Sequence, residues 1–381
     1  MADQLQQFLA DSKALVGHPA PDVVPGVDIA DWISIRRFAA ALGDRNLLWK
    51  DAAAGAATRY YTMIAPPTFV LSVRTPTSAG AYEQKDYGVQ KFLTHATLEW
   101  RSVIKLAEHL KSSLTITGAQ SAGNFGGRPA ASVTSAAAYT NVDGGAIGSA
   151  TGTVTVVPHA RGEDWIVDRD IYRYSDEEIH AIEKGIEAEA APRGKHVRFW
   201  DDAKQGEQLP VLVKGPVTLS DMMAWQVAEG KPVNLGAVVH NELKTKPGRI
   251  RTNPTTNWPF WDADQEHEDI LSCRDGGFKS PFTRGQQRVA LAGQLLTDWM
   301  GDDGFLRRLD LSIPGHYLYG DTMWLSGEVA DKYKEKVGDH VYHAVDVRVS
   351  GWNQLKERIL SGTATVYLPN PGHPVALPIA R

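Results

Sequence analysis

The segment at positions 261–269, WDADQEHED, holds residue types that can do acid–base chemistry within one short turn. Asp262 and His267 supply a carboxylate and an imidazole that can converge on a single water molecule. Gly285 begins the segment GQQRVALAGQLLTDWM, whose apolar spacing predicts a helix, and the N–H groups that open a helix favour a developing oxyanion. These three residues predict a site that activates water beside a polarised carbonyl group.

Two other interpretations of this turn stay open. An aspartate and a histidine five positions apart also fit a solvated acidic turn with a surface histidine. A divalent cation site is the second alternative, with ligand types supplied by Asp262, Asp264, His267 and Asp269. Because the turn has neither the glycine of a calcium loop nor a second histidine, we expect no metal there.

The composition predicts a folded chain without a general basic surface. Of its 381 residues, 43% are hydrophobic and 22% are charged, which is ordinary for globular proteins, and the length suits two or more domains. A net charge of -5 disfavours nucleic acid and anionic membranes as partners. The sequence shows neither a secretory signal nor a membrane-length apolar stretch, and the single cysteine, Cys273, is more typical of packing than of a nucleophile. We therefore expect a cytoplasmic protein.

The elements around the turn are organised as two similar units. A capping box of Ser175 and Glu178 predicts a connecting helix, which Pro192 and Gly194 end. The predicted division is an N-terminal unit over 1–172, a connecting helix and linker over 173–196, and a C-terminal unit over 197–381.

Each unit begins with a helix-like segment and ends with alternating, strand-like segments. Asn141 and Thr153-Val154 lie 212 residues before Asn353 and Thr365-Val366, so the two ends match in register. A helix followed by long antiparallel strands predicts an α+β arrangement in which the helix lies against a curved sheet. Because no glycine-rich turn occupies a βαβ position, a dinucleotide-binding fold is disfavoured.

The acidic turn and the helix after it resemble a family signature. The pattern GDxNPxHxD, followed by a helix that opens with a small residue, marks the MaoC-like (R)-specific enoyl-CoA hydratases and dehydratases, which have the hot-dog fold. In this resemblance Asp262 matches the catalytic aspartate, His267 the catalytic histidine and Gly285 the oxyanion-hole glycine, while Asp269 matches the second acid of HxD. The chain departs from the pattern at Trp261, Asp264, Gln265 and Arg284.

The resemblance extends over nearly the whole chain, because the N-terminal unit is similar to the FAS1-like dehydratase N-terminal domain. It implies a double hot-dog fold in which each half is a long helix wrapped by a curved antiparallel sheet. Asp264 and Arg284 both differ from the residues that the family has at these two positions near the site. We expect either that they form an ion pair in place of a neutral hydrogen-bonded pair or that they are two independent surface changes.

The N-terminal unit carries a degenerate copy of the signature. Its matching residues lie 218 positions before those of the C-terminal unit and are Asp44, Asn46, Asp51 and Pro67. Trp49 replaces the histidine, which removes the proton carrier, and Pro67 replaces the glycine, which removes the N–H donor. We expect this unit to be non-catalytic and to shape a pocket.

The resemblance implies reversible addition of water to a trans-2-enoyl thioester, with coenzyme A as substrate carrier and no other cofactor. One alternative is a non-catalytic acyl-CoA-binding or assembly subunit whose partner chain supplies the site. A hot-dog thioesterase is the other, although the predicted helix has no acid before Asp298. The degenerate half favours a bulky acyl group, and dimerisation of the chain is a further expectation.

A long insertion over 230–258 separates the second helix-like segment from the acidic turn. It either covers the site, contacts a partner or is a surface insertion. Its basic residues would meet coenzyme A phosphates in the first case and solvent in the last; they are Lys244, Lys246, Arg249 and Arg251.

Overall fold

The fold comes from a computed structural model of the chain. It describes residues 2–21, 26–159, 165–230, 236–248, 250, 252, 255–258 and 267–380.

The described residues form an α+β architecture. The helices are α1 (Ala2–Ala14), α2 (Trp32–Leu42), α3 (Ala52–Ala56), α4 (Val70–Val73), α5 (Asp176–Glu187), α6 (Leu219–Ala228), α7 (Ala237–Lys244), α8 (Ile270–Asp275) and α9 (Gly285–Met300). The strands are β1 (Val89–Trp100), β2 (Leu110–Phe125), β3 (Arg128–Asn141), β4 (Ala146–Pro158), β5 (Leu212–Lys214), β6 (Phe305–Ser312), β7 (Met323–Val337), β8 (His340–Asn353) and β9 (Arg358–Tyr367). No helix in these ranges is long and apolar enough to cross a membrane.

The strands make one antiparallel sheet that runs through both halves of the chain. Its order is β2-β3-β4-β1-β6-β9-β8-β7-β5, so the N-terminal strands occupy one side and the C-terminal strands the other. The halves join where β1 pairs with β6, for example at Leu98 opposite Leu309, and both of these side chains are fully buried. The hydrophobic core is therefore continuous across the two halves.

The long central helix is α9, which the C-terminal strands surround. Thirteen of its 16 residues are buried, as the apolar spacing predicts. Gly293 lets α9 approach the N-terminal half, because a Cβ there would lie 2.5 Å from a methyl carbon of Thr68.

The N-terminal half differs from the prediction of a long helix in each unit. At the position that matches α9, the chain forms a 3₁₀ turn at Pro67–Phe69 and then the single turn of α4. Pro66 and Pro67 have no N–H to donate, and Arg74 returns to an extended conformation. The central helix of this half is thus reduced to a short remnant that packs against α9.

Two local predictions are confirmed. Ser175 and Glu178 form the capping box that begins α5, since each side chain accepts the other's backbone N–H. The duplicated hairpins also match, because Asn141 accepts a hydrogen bond from the N–H of Gly145 and Asn353 accepts one from the N–H of Glu357, in each case four residues later.

Candidate active site

The imidazole of His267 is held at the N-terminal end of α9. Its Nδ1 lies 2.6 Å from the carbonyl oxygen of Phe282, and the two rings meet edge to face with centroids 4.7 Å apart. A carbonyl oxygen only accepts hydrogen bonds, so the neutral ring carries its proton on Nδ1 and has Nε2 as its basic nitrogen. Because Phe282 is three residues before Gly285, this contact brings the imidazole to the opening of the helix.

Two of the predicted site residues, Asp262 and Asp264, lie outside the described residues. The predicted convergence of Asp262 with His267, and the predicted pairing of Asp264 with Arg284, therefore remain predictions.

Gly285 is the first residue of α9, where the N–H groups of a helix have no carbonyl partner within the helix. The structure gives a packing reason for a glycine at this position, because a Cβ on Gly285 would lie 2.8 Å from the Cβ of Leu93 in β1. A strand of the N-terminal half therefore packs over the start of α9.

Replacement of Gly285 by alanine is expected to lower the free energy of unfolding by about 1–3 kcal/mol, the usual cost of overpacking. Replacing Leu93 with glycine in the same protein removes this Cβ and should relieve that clash, so the two changes should be strongly non-additive in urea unfolding. Gly118→Ala is the matched control, because a Cβ there would be 3.9 Å from its nearest neighbour. Additive effects of the two changes would show that Leu93 does not restrict this position.

Arg284 is buried before the first turn of α9 and, among the described residues, contacts the acidic side chains of Glu268 and Glu229. Its Nη2 lies 3.2 Å from Oε1 of Glu268, and its Nε lies 3.9 Å from Oε2 of Glu229. A cation at a helix N-terminus and an anion at a helix C-terminus each oppose the helix dipole, and Glu229 follows the last turn of α6. The contact between Arg284 and Glu229 therefore offsets the unfavourable interaction of each charge with its own helix dipole.

Glu229 is the residue of this region that the sequence prediction missed. It is only 2% exposed, and its position just after an apolar helix, against the helix dipole, was the available signal.

Asp269 has a structural role in the described chain. It is the N-cap of α8 and accepts a hydrogen bond from the N–H of Leu271 at 2.8 Å. Its counterpart Asp51 is the N-cap of α3 and accepts one from the N–H of Ala54. The duplicated signature therefore preserves a helix cap in both halves.

An aromatic cluster from both halves supports the His267 loop. Phe282 stacks on Phe278 with centroids 4.3 Å apart, and both rings lie near Phe92 of β1. His316 packs edge-on to Phe278 at 5.1 Å, and burial lowers its pKa to about 3, so it is a neutral member of the cluster. The N-terminal half thus contributes to the rigidity of the loop that carries His267.

In the N-terminal half, side chains fill the region that corresponds to the candidate site of the C-terminal half. Asp44 accepts the N–H of Asn46 at 2.8 Å, and Asn46 in turn accepts the N–H of Leu48, so both serve the turn. Trp49 is buried and, together with Pro67, lines a residual cavity of about 30 Å³. Such a space holds roughly one water molecule and no acyl group.

The carboxyl of Asp44 belongs to a buried charge cluster that joins the two halves. Burial raises its pKa to about 6, and burial together with the charge of Asp44 raises the pKa of Asp298, in α9, to about 8. Lys214 is the nearby cation, and its ammonium donates to the carbonyl of Leu42 at 3.0 Å. Glu189 adds a further negative charge, so the cluster opposes ionisation of Asp298.

Replacement of Asp298 by asparagine is expected to raise the free energy of unfolding by about 5 kcal/mol near pH 9 and to change it little near pH 4. The unfolded aspartate loses its proton near pH 4, whereas the folded one keeps it until about pH 8, so wild-type stability falls as pH rises between these values. Urea unfolding across this range measures the effect, with the exposed Asp143→Asn as control. If Asp298→Asn raised the free energy of unfolding equally at all pH values, ionisation of Asp298 would not be the cause of the stabilisation.

The insertion contains α7, and its chain contacts the N-terminal half where the N–H of Asp86 donates to the carbonyl of Pro247. Lys246 pairs with Glu242 at 3.0 Å within the insertion. Arg249 and Arg251 lie outside the described residues. In the described ranges, no group of three His, Cys, Asp or Glu side chains is placed to hold a metal ion.

Two halves that share one sheet, with a buried central helix, define a double hot-dog protein. A MaoC-like dehydratase matches this chain with a TM-score of 0.61 at 18% identity, covering 94% of this chain and 99% of its own. A protein from Chloroflexus aurantiacus J-10-fl described as a MaoC domain dehydratase matches with a TM-score of 0.56 at 13% identity and the same coverage. A Mycobacterium tuberculosis protein described as a double hotdog fold matches with a TM-score of 0.50 at 14% identity, covering 91% of this chain and 94% of its own.

The N-terminal half also matches a family by sequence. The model of the FAS1-like dehydratase domain region matches residues 29–148, a range that includes the degenerate signature from Asp44 to Pro67. Residues 29–148 thus match the FAS1-like dehydratase domain region, and the chain has the double hot-dog fold seen in MaoC-like dehydratases, so the predicted resemblance and fold class are confirmed. No curated protein matches the chain.

Proposed function

We propose that this protein is a hydro-lyase that adds water reversibly to a trans-2-enoyl-CoA thioester at its C-terminal half. The observation that carries the proposal is the contact of His267 Nδ1 with the carbonyl of Phe282, which sets the imidazole beside the start of α9. An acid–base group and a set of helix N–H donors are the two elements that hydration of a conjugated thioester requires.

In the proposed reaction, Asp262 and His267 hold the attacking water. The water oxygen bonds to C3, the electrons of the C2–C3 double bond move towards the thioester carbonyl, and Nε2 of His267 takes up the proton that the water loses. The N–H of Gly285 donates to the enolate oxygen. When the double bond to that oxygen re-forms, C2 takes the proton, which completes addition of one water molecule; dehydration is the reverse.

In this proposal the unit over 1–172 shapes the site, the segment over 173–196 connects the halves, and the unit over 197–381 does the chemistry. Leu93 closes over Gly285, and Gln286 of α9 donates to Thr77 of the N-terminal half at 3.1 Å. The start of the catalytic helix is therefore supported by the non-catalytic half.

The thioesterase alternative lacks support in α9, because the only acid on this helix is Asp298 in its last turn, in the cluster with Asp44 and Lys214. The non-catalytic alternative predicts that acyl-CoA binds without turnover.

Turnover of crotonyl-, octenoyl- and cinnamoyl-CoA tests the proposal. The relative rates also show which size of acyl group the protein prefers. Loss of the enoyl chromophore without release of free thiol is the expected result. Release of thiol would indicate the thioesterase, and binding without either change would indicate the non-catalytic subunit.

A further inference from the structure

A second pocket lies on the surface between α5 and the strands β7 and β8. Its volume is about 360 Å³, which lies within the range of roughly 300–1,000 Å³ that small-molecule sites occupy. Trp324 and Trp352 line it from the strands, while Tyr174 and Ile182 line it from the α5 side. None of these residues belongs to the proposed active site.

The strand wall of the pocket is a pair of tryptophans. Trp324 and Trp352 are directly opposite each other in the β7–β8 pairing, and their neighbours Met323 and Leu325 are fully buried on the core side. Side chains alternate along a strand, so the two indoles stand on the face away from the core. Trp352 remains 41% exposed, and this pair offers a flat surface on which a ring can stack.

Two cations flank this wall. Lys356 lines the pocket, and the guanidinium of Arg358 lies 5.9 Å from the Trp352 ring. Within the described part of the chain, no acidic side chain forms an ion pair with either cation. The acid on the opposite wall, Glu178, already accepts hydrogen bonds from the hydroxyl of Tyr172 and the backbone N–H of Ser175.

Lys356 occupies a backbone conformation that suits glycine. Its φ is 60°, in the left-handed region, where an L side chain is strained. The duplicated hairpin provides a comparison: the residue 212 positions earlier is Gly144, with φ of 86°, and the counterpart of Trp352 is Thr140. The C-terminal half therefore retains a lysine at a position of strain and an indole beside it, which the N-terminal half lacks.

We propose that this pocket binds a planar aromatic molecule that bears an acidic group. The ring stacks against Trp352 and Trp324, and the acidic group faces Lys356 and Arg358. This site is separate from the proposed chemistry at His267.

Calorimetric titration of the full chain with 2-naphthoate tests the proposal. Stacking on one indole and one ion contact each account for about tenfold in affinity, so Trp352→Leu and Lys356→Gly should each weaken binding by about that factor. Lys356→Gly should also raise the melting temperature, because glycine relieves the strain at φ of 60°, and so a loss of binding cannot be attributed to unfolding. Uncharged 2-naphthamide should bind about tenfold more weakly than the acid.

Trp32→Leu is the matched control, because Trp32 is 37% exposed on α2 and stacks with the guanidinium of Arg36. Its binding of 2-naphthoate should equal that of the wild type. Absence of binding up to about 10 mM would overturn the proposal, since such affinities are below those of specific sites. Binding that is unchanged in Trp352→Leu and Lys356→Gly, or equal binding of the acid and the amide, would overturn it as well.

Discussion

Replacement of His267 by alanine is expected to lower kcat for enoyl-CoA hydration by about 10²–10⁴, the usual contribution of a placed acid–base group. The imidazole is anchored through Nδ1 to Phe282, so in the proposed reaction its other nitrogen would take up the proton. Because alanine removes only this group, KM should change much less than kcat. Steady-state kinetics on the best substrate of the panel measures both constants.

His340→Ala is the matched control, because this exposed histidine begins β8 and contacts none of the site residues described above. It should retain wild-type kinetics. Activity of His267→Ala within twofold or so of wild type would remove the imidazole from the mechanism.

Breaking the buried charge pair of Glu229 and Arg284 is expected to have the largest effect on stability. Arg284 is 8% exposed and Glu229 is 2% exposed, and the Arg284 cation also contacts Glu268. Arg284→Met removes the cation that these two carboxylates share and should lower the free energy of unfolding by about 3–5 kcal/mol. Glu229→Gln should lower it by less, because Arg284 keeps its contact with Glu268. The double variant should be much more stable than the sum of the two losses predicts, since the apolar and neutral side chains leave fewer buried charges.

The control for this pair is Glu242→Gln, which breaks the surface contact of Glu242 with Lys246 on α7. A pair of this kind contributes about 0.5 kcal/mol or less. Urea unfolding measures the free energy of unfolding of each variant. If the variants at Arg284 and Glu229 lost as little as Glu242→Gln, the contacts of Arg284 would add nothing to stability.

Local sequence signals predicted the local structure well. The capping box at Ser175 and Glu178, the helix that starts at Gly285, and the hairpins marked by Asn141 and Asn353 all form as expected. Each depends on neighbours only a few residues away in the chain, and such interactions can be derived from spacing.

Features that depend on distant parts of the chain were predicted less well. The central helix of the N-terminal half is reduced to a short remnant at Pro67–Val73, because two prolines interrupt it. Glu229 and Arg284 come together from different helices, and the cluster of Asp44, Lys214 and Asp298 joins both halves. No spacing rule connects residues so far apart, and their pairing follows only from the three-dimensional packing.

The candidate site was predicted through comparison of the two units within one chain. The structure places His267 beside the start of α9 and fills the matching place in the other half with Trp49. The role of Asp262 remains a prediction.

The most direct test of where the chemistry occurs is one hydration assay on three proteins: wild type, an Asp262→Asn/His267→Ala double variant, and Trp49→Phe. The double variant is expected to lose hydration activity while Trp49→Phe retains it, because the N-terminal half has a residual cavity of only about 30 Å³ and no histidine at the matching position. Enoyl-CoA hydration at the wild-type rate by the double variant would contradict this expectation.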